Sequence, residues 1–341
     1  MFQYKSPNGH EDDPDYEPTK EDIQEFSDWI HQRFRKILVS DTDELPMPPK
    51  RDVEHEIPYI DESEPPRPRI SYKIPDKHLP KWHELRDKHV SAGLWIPTTS
   101  RNADPMMPVV KKDGKFRPVV DLRRRNANTI KLSMPPLDTD HIRSTLAAHR
   151  YHFELDVKGA YQQLRIKHSD VWKTSFNVRG LTLATPVAQQ GDCNSAVTLA
   201  LMMSYIFGTL IGSTIETYFD NIFGYADTWK DLRYRLSEVL TRCEIHDWRI
   251  NVNSVRICPE QVEVLGMKVS HGSITMSSDM RDAILKMRTP HDQKSLQRFM
   301  GSVEWLARFV PHLAEIAAPL TDLAGGAEWR SEEHTSELQS Q

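Results

Sequence analysis

The sequence predicts an α+β fold, and three observations carry that expectation. Residues 108–126 and 213–225 each read as two β-strands joined by a tight turn. Residues 229–243 place Trp229, Leu232, Leu236, Val239, Leu240 and Cys243 at i, i+3, i+4 spacing, the apolar stripe of a core-facing helix. At 341 residues the chain has the length for one large domain or two to three subdomains, with ample core.

Residues 1–44 carry twelve Asp/Glu against five Lys/Arg, with Pro7, Pro14 and Pro18. The expectation is an acidic linker, partly disordered, with a short helix around residues 23–38. Residues 45–69 (LPMPPKRDVEHEIPYIDESEPPRPR) hold too many prolines for regular structure. A helix is expected over residues 76–92, stopped by Gly93. The hairpin at residues 108–126 (PVVKKDGKFRPVVDLRRRN) turns at Asp113-Gly114 and is the most basic stretch, with Lys111, Lys112, Lys115, Arg117, Arg123, Arg124 and Arg125. On residue types alone, a solvated charged hairpin ranks ahead of a phosphate site. Residues 151–157 read as a strand, and 192–211 as a helix. Residues 262–269 and 273–276 form a further hairpin around Ser270-His271-Gly272. Asp292 then caps a helix with Leu296, Phe299, Met300, Val303 and Leu306 on one face.

Several function classes recede at once. The apolar run at 196–211 is interrupted by Thr198, Ser204, Tyr205 and Thr209, so it reads as a buried helix and no membrane partner is expected. No signal peptide precedes the acidic start, which argues against secretion. Cys193, Cys243 and Cys258 have neither disulfide nor zinc spacing. Outside the acidic head the charge is nearly balanced, which neither requires nor excludes nucleic acid.

The stretch that carries chemistry is TYFDNIFGY, residues 217–225, whose turn Tyr218-Phe219-Asp220-Asn221 displays a carboxylate. Asp156, in FELDVKGAY, is its candidate partner on a neighbouring strand. Nucleotidyl transfer needs positioning and neutralisation of charge at phosphorus. Two Mg²⁺ ions held by rigid carboxylates meet both needs. By themselves, two strand-end aspartates are more often turn or cap residues.

The surrounding motifs supply context. LPMPPKRDVEHEI, VVKKDGKFRPVVDLRRRN, FELDVKGAYQQLRI, QQGDCN, YFDN, VEVLGMKVS and RFMGSVEWLARFVPHLAEIAAPLTDL occur in that order. Through them, residues 45–329 resemble the reverse transcriptase domain of Gypsy-type (Metaviridae) LTR retrotransposon polyproteins, fungal-like branch. The resemblance implies a right-hand polymerase, with fingers over 70–150 and part of 160–190, palm over 151–275 and a helical thumb over 276–329. It implies an RNA-directed DNA polymerase that joins dNTP to a DNA primer on an RNA or DNA template, in a cytoplasmic virus-like particle. Ribonuclease H and integrase modules have no signature in this sequence. By matching motif position, Asp156, Asp220 and the Val157 carbonyl would hold two Mg²⁺ ions, with Mn²⁺ as a substitute. Tyr161 would gate the sugar, and Lys111 (or Lys112) and Arg117 would grip the triphosphate. Gln190 and Gly191 would border the nucleotide, and Leu265, Gly266 and Met267 would form the primer grip.

Three departures from the family pattern stand out. The second aspartate of Tyr-x-Asp-Asp is Asn221, which removes one negative charge from the catalytic turn. The family's lysine after the palm helix is Ser254, a poor acid at neutral pH. Ser195-Ala196-Val197-Thr198-Leu199 stands in place of Ala-Pro-Ala-Thr-Phe. Impaired catalysis is the expectation, and the alternatives are an inactive nucleic-acid-binding remnant and an interaction module. Residues 330–341 (RSEEHTSELQSQ) read as a translated sequencing adapter, so the native sequence is expected to continue past Trp329.

Overall fold

The structure is a computed structural model. It describes residues 13–40, 43–63, 72–110, 116–134, 138–304 and 306–325. They fall into two compact units, Met1–Val262 with Ser270–Gly272, and Glu263–Val269 with Ser273–Gln341. Lys111, Lys112, the Asp113-Gly114 turn and residues 330–341 lie outside the described residues.

The first unit opens with α1 (Lys20–Arg33), nucleated by a capping box in which Thr19 Oγ1 accepts the Asp22 N–H and the Asp22 carboxylate accepts the Thr19 N–H. Phe26, Ile30, Phe34 and Ile37 recur every three or four residues and are fully buried. β1 (Leu38–Val39) continues the chain, and Arg33 forks onto Glu244 at 3.1 and 2.9 Å. Residues 20–39 are therefore core, which corrects the linker expectation: the acidic composition belongs to the outer face and hides an apolar stripe. The described part of the proline-rich stretch, residues 45–63, is irregular, as its composition requires, yet firmly pinned. Arg51 donates to the carbonyls of Gln163, His246 and Asp247 at 2.8, 2.9 and 3.1 Å. The Ile57 N–H meets the Asp170 carboxylate at 2.8 Å.

Next come α2 (Leu79–Ser91), β2 (Ile96–Pro97), β3 (Asp104–Val110), β4 (Phe116–Val120), α3 (Arg123–Ala127), α4 (Thr139–Ala148), β5 (Tyr151–Asp156), β6 (Phe176–Val178) and β7 (Leu181–Ala184). β2, β7, β6, β3 and β4 make a five-stranded sheet in that order. Its small core includes Trp82, Trp95, Met106, Phe176 and Leu183. Arg117 lies on β4 opposite Val109.

The remaining elements of this unit are α5 (Ser195–Phe207), β8 (Ile215–Tyr218), β9 (Asn221–Ala226), α6 (Trp229–Ile245), β10 (Ile250–Asn251) and β11 (Arg256–Ile257). β1 pairs in parallel with β10 at Leu38↔Ile250. The central sheet is antiparallel, in the order β11-β5-β9-β8. Alternation sends Phe153, Leu155, Ile215, Ile222 and Ala226 into one large core with the buried faces of α1, α5 and α6. Gly224 is obligatory there, because a Cβ at that position would sit 1.9 Å from Phe153 Cζ.

The second unit holds all but the first residue of β12 (Val262–Val264) and the last of β13 (Met267–Ser270), with β14 (Ser273–Met276), α7 (Ser278–Leu285), α8 (Gln293–Glu304) and α9 (Leu313–Ala324). The expected strand at 262–269 is split by a turn at Leu265-Gly266, giving a three-stranded sheet β12-β13-β14. Asp292 caps α8 by accepting the Ser295 N–H at 2.6 Å, and Leu296 is buried on the predicted face. Among the described residues, no helix is long and apolar enough to cross a membrane.

Candidate active site

The β5–β9 register sets Asp156, the last residue of β5, directly opposite Asn221, the first of β9. Tyr218 faces Asn221 from β8, so the hairpin turn is the dipeptide Phe219-Asp220. The Val157 N–H donates to the Asp220 carbonyl at 2.8 Å, tying the turn to the residue after Asp156. The structure thus brings Asp156, Val157, Asp220 and Asn221 together at one end of the sheet. Phe219 has φ 52°, the left-handed region that costs a bulky side chain on the order of 1–3 kcal/mol. It holds that geometry with its ring edge-on to Tyr218, 4.8 Å between centroids, and packed against the core.

Ser254 lies behind Asp156. Its Oγ accepts the Asp156 N–H at 3.0 Å, and its hydroxyl donates to the Asn251 carbonyl at 2.7 Å. Both functions of the hydroxyl are therefore directed at backbone groups.

A cleft of about 660 Å³ adjoins the turn, lined by Tyr161, Gln189, Gln190, Gly191 and Asp220 among others. Four of the predicted site residues thus share one cavity. Gly159, at φ 51°, lets the chain enter the short 3₁₀ helix Ala160–Gln163 that carries Tyr161. Burial pushes the Tyr161 phenol up, and the Asp220 charge adds to the shift. Gly191 has φ 96°, a conformation that strains any side chain. Leu265, Gly266 and Met267 belong to the second unit, where Leu265 and Gly266 have φ 50° and 73°. The Gly266 carbonyl accepts the Ser277 N–H at 2.9 Å.

Sequence reasoning missed a buried polar network that reaches the cleft through Gln189. Arg125, read as part of a solvated hairpin, is 1% exposed. Its Nη2 meets Asp192 Oδ2 at 2.8 Å, and its Nη1 donates to Gln189 Oε1. His55 Nε2 lies 3.2 Å from Asp192 Oδ1, at ion-pair distance but poorly directed for a hydrogen bond, while Nδ1 meets Thr198 Oγ1 at 2.8 Å. Burial works to raise the Asp192 carboxyl. The contact with His55, the Arg125 and His55 charges and the Asn194 N–H outweigh it and hold the carboxyl at about 2. The one available signal was a lone acid, Asp192, inside QQGDCN, which needs a buried cation somewhere in the chain.

As for a metal, the donors at the sheet end are two carboxylates and one neutral amide. Among the described residues there is no cluster of three or more His, Cys, Asp and Glu poised to hold an ion. The hard oxygens of Asp156 and Asp220 fit a magnesium-like cation, with one charge fewer than a three-carboxylate site offers.

The same fold recurs in solved structures. The chain superposes on the foamy viral protease–reverse transcriptase in complex with dsDNA with a TM-score of 0.78, at 23% identity, covering 96% of this chain and 68% of that one. The same viral protein with an RNA/DNA hybrid gives 0.74 at 22% identity, covering 95% of this chain and 43% of that one. The fold is thus the α+β right hand of template-directed polymerases. The profile described as reverse transcriptase (RNA-dependent DNA polymerase) matches residues 109–269. The Tf2-7 and Tf2-3 transposon polyproteins of Schizosaccharomyces pombe are 25% and 24% identical over 296 residues, 86% of this chain and 22% of each relative. Residues 109–269 thus match the reverse transcriptase family, the chain is similar to retrotransposon polyproteins over most of its length, and it spans about a fifth of the length of those relatives.

Proposed function

We propose that the chain extends a DNA primer with deoxynucleoside triphosphates, on an RNA or DNA template, at a site built from Asp156 and Asp220. The observation that supports this most directly is the 2.8 Å bond from the Val157 N–H to the Asp220 carbonyl, which holds both aspartates at one sheet end. Asp156, Asp220 and the Val157 carbonyl would hold two Mg²⁺ ions, or Mn²⁺ in their place. When bound, such ions activate the primer hydroxyl and offset charge on the α-phosphate and the leaving pyrophosphate. The protein's own contribution is placement. Asp156 and Asp220 present fixed negative charge, and Asn221 adds a neutral amide oxygen. Tyr161, in the cleft beside Asp220, crowds the sugar where a ribonucleotide carries its 2′-hydroxyl. Gly191 leaves room for close approach of the backbone, and Gln190 borders the base. Lys111, Lys112 and Arg117 receive the triphosphate, Arg117 by forked hydrogen bonds. Leu265, Gly266 and Met267 hold the primer.

The missing carboxylate makes this a slow enzyme. Losing one preorganised charge costs on the order of 10²–10³ in rate. Asn221 also favours a second reading, a remnant that binds template–primer without extending it. Primer extension by the whole chain with Mg²⁺ or Mn²⁺ separates the two. Slow extension is expected from the wild type, at least about tenfold faster extension from Asn221→Asp, and none from Asp156→Asn. If wild type and Asn221→Asp both fail while salt-sensitive binding of template–primer persists, the remnant reading stands. Absence of both extension and binding would overturn the two together.

A further inference from the structure

We infer that Ser254 is a positioning residue for Asp156, one that completes with its side chain a β-ladder the backbone abandons, so that restoring the family's lysine there loosens the site. The inference rests on the two-aspartate reading above. β11 pairs with β5 at Arg256↔Glu154 and Ile257↔Phe153, and the Cys258 N–H reaches the His152 carbonyl at 2.9 Å. Two more residues of that register set position 254 opposite Asp156. There the chain has already coiled into a single 3₁₀ turn, Val252–Ser254, opened by the Asn251 side chain accepting the Asn253 N–H at 3.2 Å. The strand partner for the Asp156 N–H is lost at this point, and Ser254 Oγ takes its place at 3.0 Å.

Successive amides of a strand point to opposite edges. The Asp156 N–H goes to Ser254 on one side, and the Val157 N–H goes to the Asp220 carbonyl on the other. The backbone that presents the Asp156 carboxylate is thereby held from both flanks. The hydroxyl is suited to this because it accepts and donates at once, and its own hydrogen is taken by Asn251 at 2.7 Å. Alanine offers no acceptor. Lysine is worse, since an ammonium has three donors and no acceptor and would face the Asp156 N–H donor to donor. Threonine keeps the hydroxyl.

The test uses Ser254→Ala, Ser254→Lys and Ser254→Thr in the whole chain, with Ile257→Ala on the same strand as a stability control. Exchange of the Asp156 amide, followed by NMR without metal, reads the contact directly. It should accelerate about five- to tenfold in the Ala and Lys variants and stay within about twofold of wild type in Thr. Mn²⁺ titration should show several-fold weaker binding in Ala and Lys, and unchanged binding in Ile257→Ala even where that variant melts lower. Primer extension should lose kcat with KM for dNTP unchanged. An Asp156 amide exchanging at the wild-type rate in Ala and Lys overturns the inference, and so does a Ser254→Lys protein that extends faster than wild type. If even the wild type neither binds Mn²⁺ nor extends, the two-aspartate reading fails, and the exchange rates still decide whether Ser254 holds Asp156.

Discussion

The molecule has two hairpin turns of nearly the same design. Phe219-Asp220 joins β8 to β9 in the first unit, and Leu265-Gly266 joins β12 to β13 in the second. Each puts a bulky residue first with φ near 50°, where glycine or asparagine is at ease. In each, the carbonyl of the second residue is fixed by a backbone N–H, from Val157 to Asp220 and from Ser277 to Gly266. They differ in what backs them. Behind the first, Phe153 fills the space over Gly224, and the strands lie on a core of fully buried side chains. Beside the second is a flexible thioether, Met280 Sδ, 3.2 Å from a Cβ placed on Gly266. Strain is maintained against a rigid core at the turn that carries Asp220, and beside a compliant side chain at the turn of the second unit.

Mutations can break or sharpen that contrast. Asp220→Asn should lower extension about 10³-fold, close to 4 kcal/mol of barrier, without moving the melting temperature; an unchanged rate would remove Asp220 from the chemistry. Gly224→Ala should cost about 3 kcal/mol or more in denaturant unfolding of the first unit, because the Phe153 ring has nowhere to go. Acid distinguishes the units next. The Asp192 carboxyl sits at about 2 in the fold against its ordinary 3.8, so the ionised form is favoured by folding. That stability, about 2 kcal/mol, is complete above pH ~4 and fades as the pH falls toward 2. Among the described residues all the buried charged side chains lie in the first unit. Amide exchange over that range should therefore rise there and change little at residues 263–269 and 273–276. Smallest of all, Gly266→Ala should cost about 1 kcal/mol, and Leu265→Asn should return a comparable amount, read by amide exchange of β12 and β13. Equal penalties for Gly224→Ala and Gly266→Ala would erase the distinction between the two turns.

Much of the site was legible because its signals are local. Asp156 at a strand end, the Asp220 turn and the glycine before Asp192 each sit in a motif whose residue types suit their geometry. What escaped notice depends on contacts distant in sequence. Arg125 lies in a run of three arginines, and only the fold reveals that one of them meets Asp192 in the interior while Arg123 stays at the surface with Asp121. Ser254 looked like a missing acid because its partner is a backbone amide 98 residues away. The turn at Leu265-Gly266 was passed over because Leu265 is a poor residue for it. The first helix was expected, but its place in the core was hidden by the charge on its other face.

That helix also imposes a schedule. Phe26 meets Trp229 edge-on at 5.5 Å, Arg33 pairs with Glu244, and Leu38 pairs with Ile250. None of those partners exists when residues 20–39 leave the ribosome. With roughly 200 residues still to be made at about 5–20 per second, the apolar stripe waits on the order of 10–40 s for its core. An acidic surround is what keeps such a stripe apart from other nascent chains in the interval. The charge that made this end of the chain resemble a linker is then a provision for the time before it becomes part of the fold.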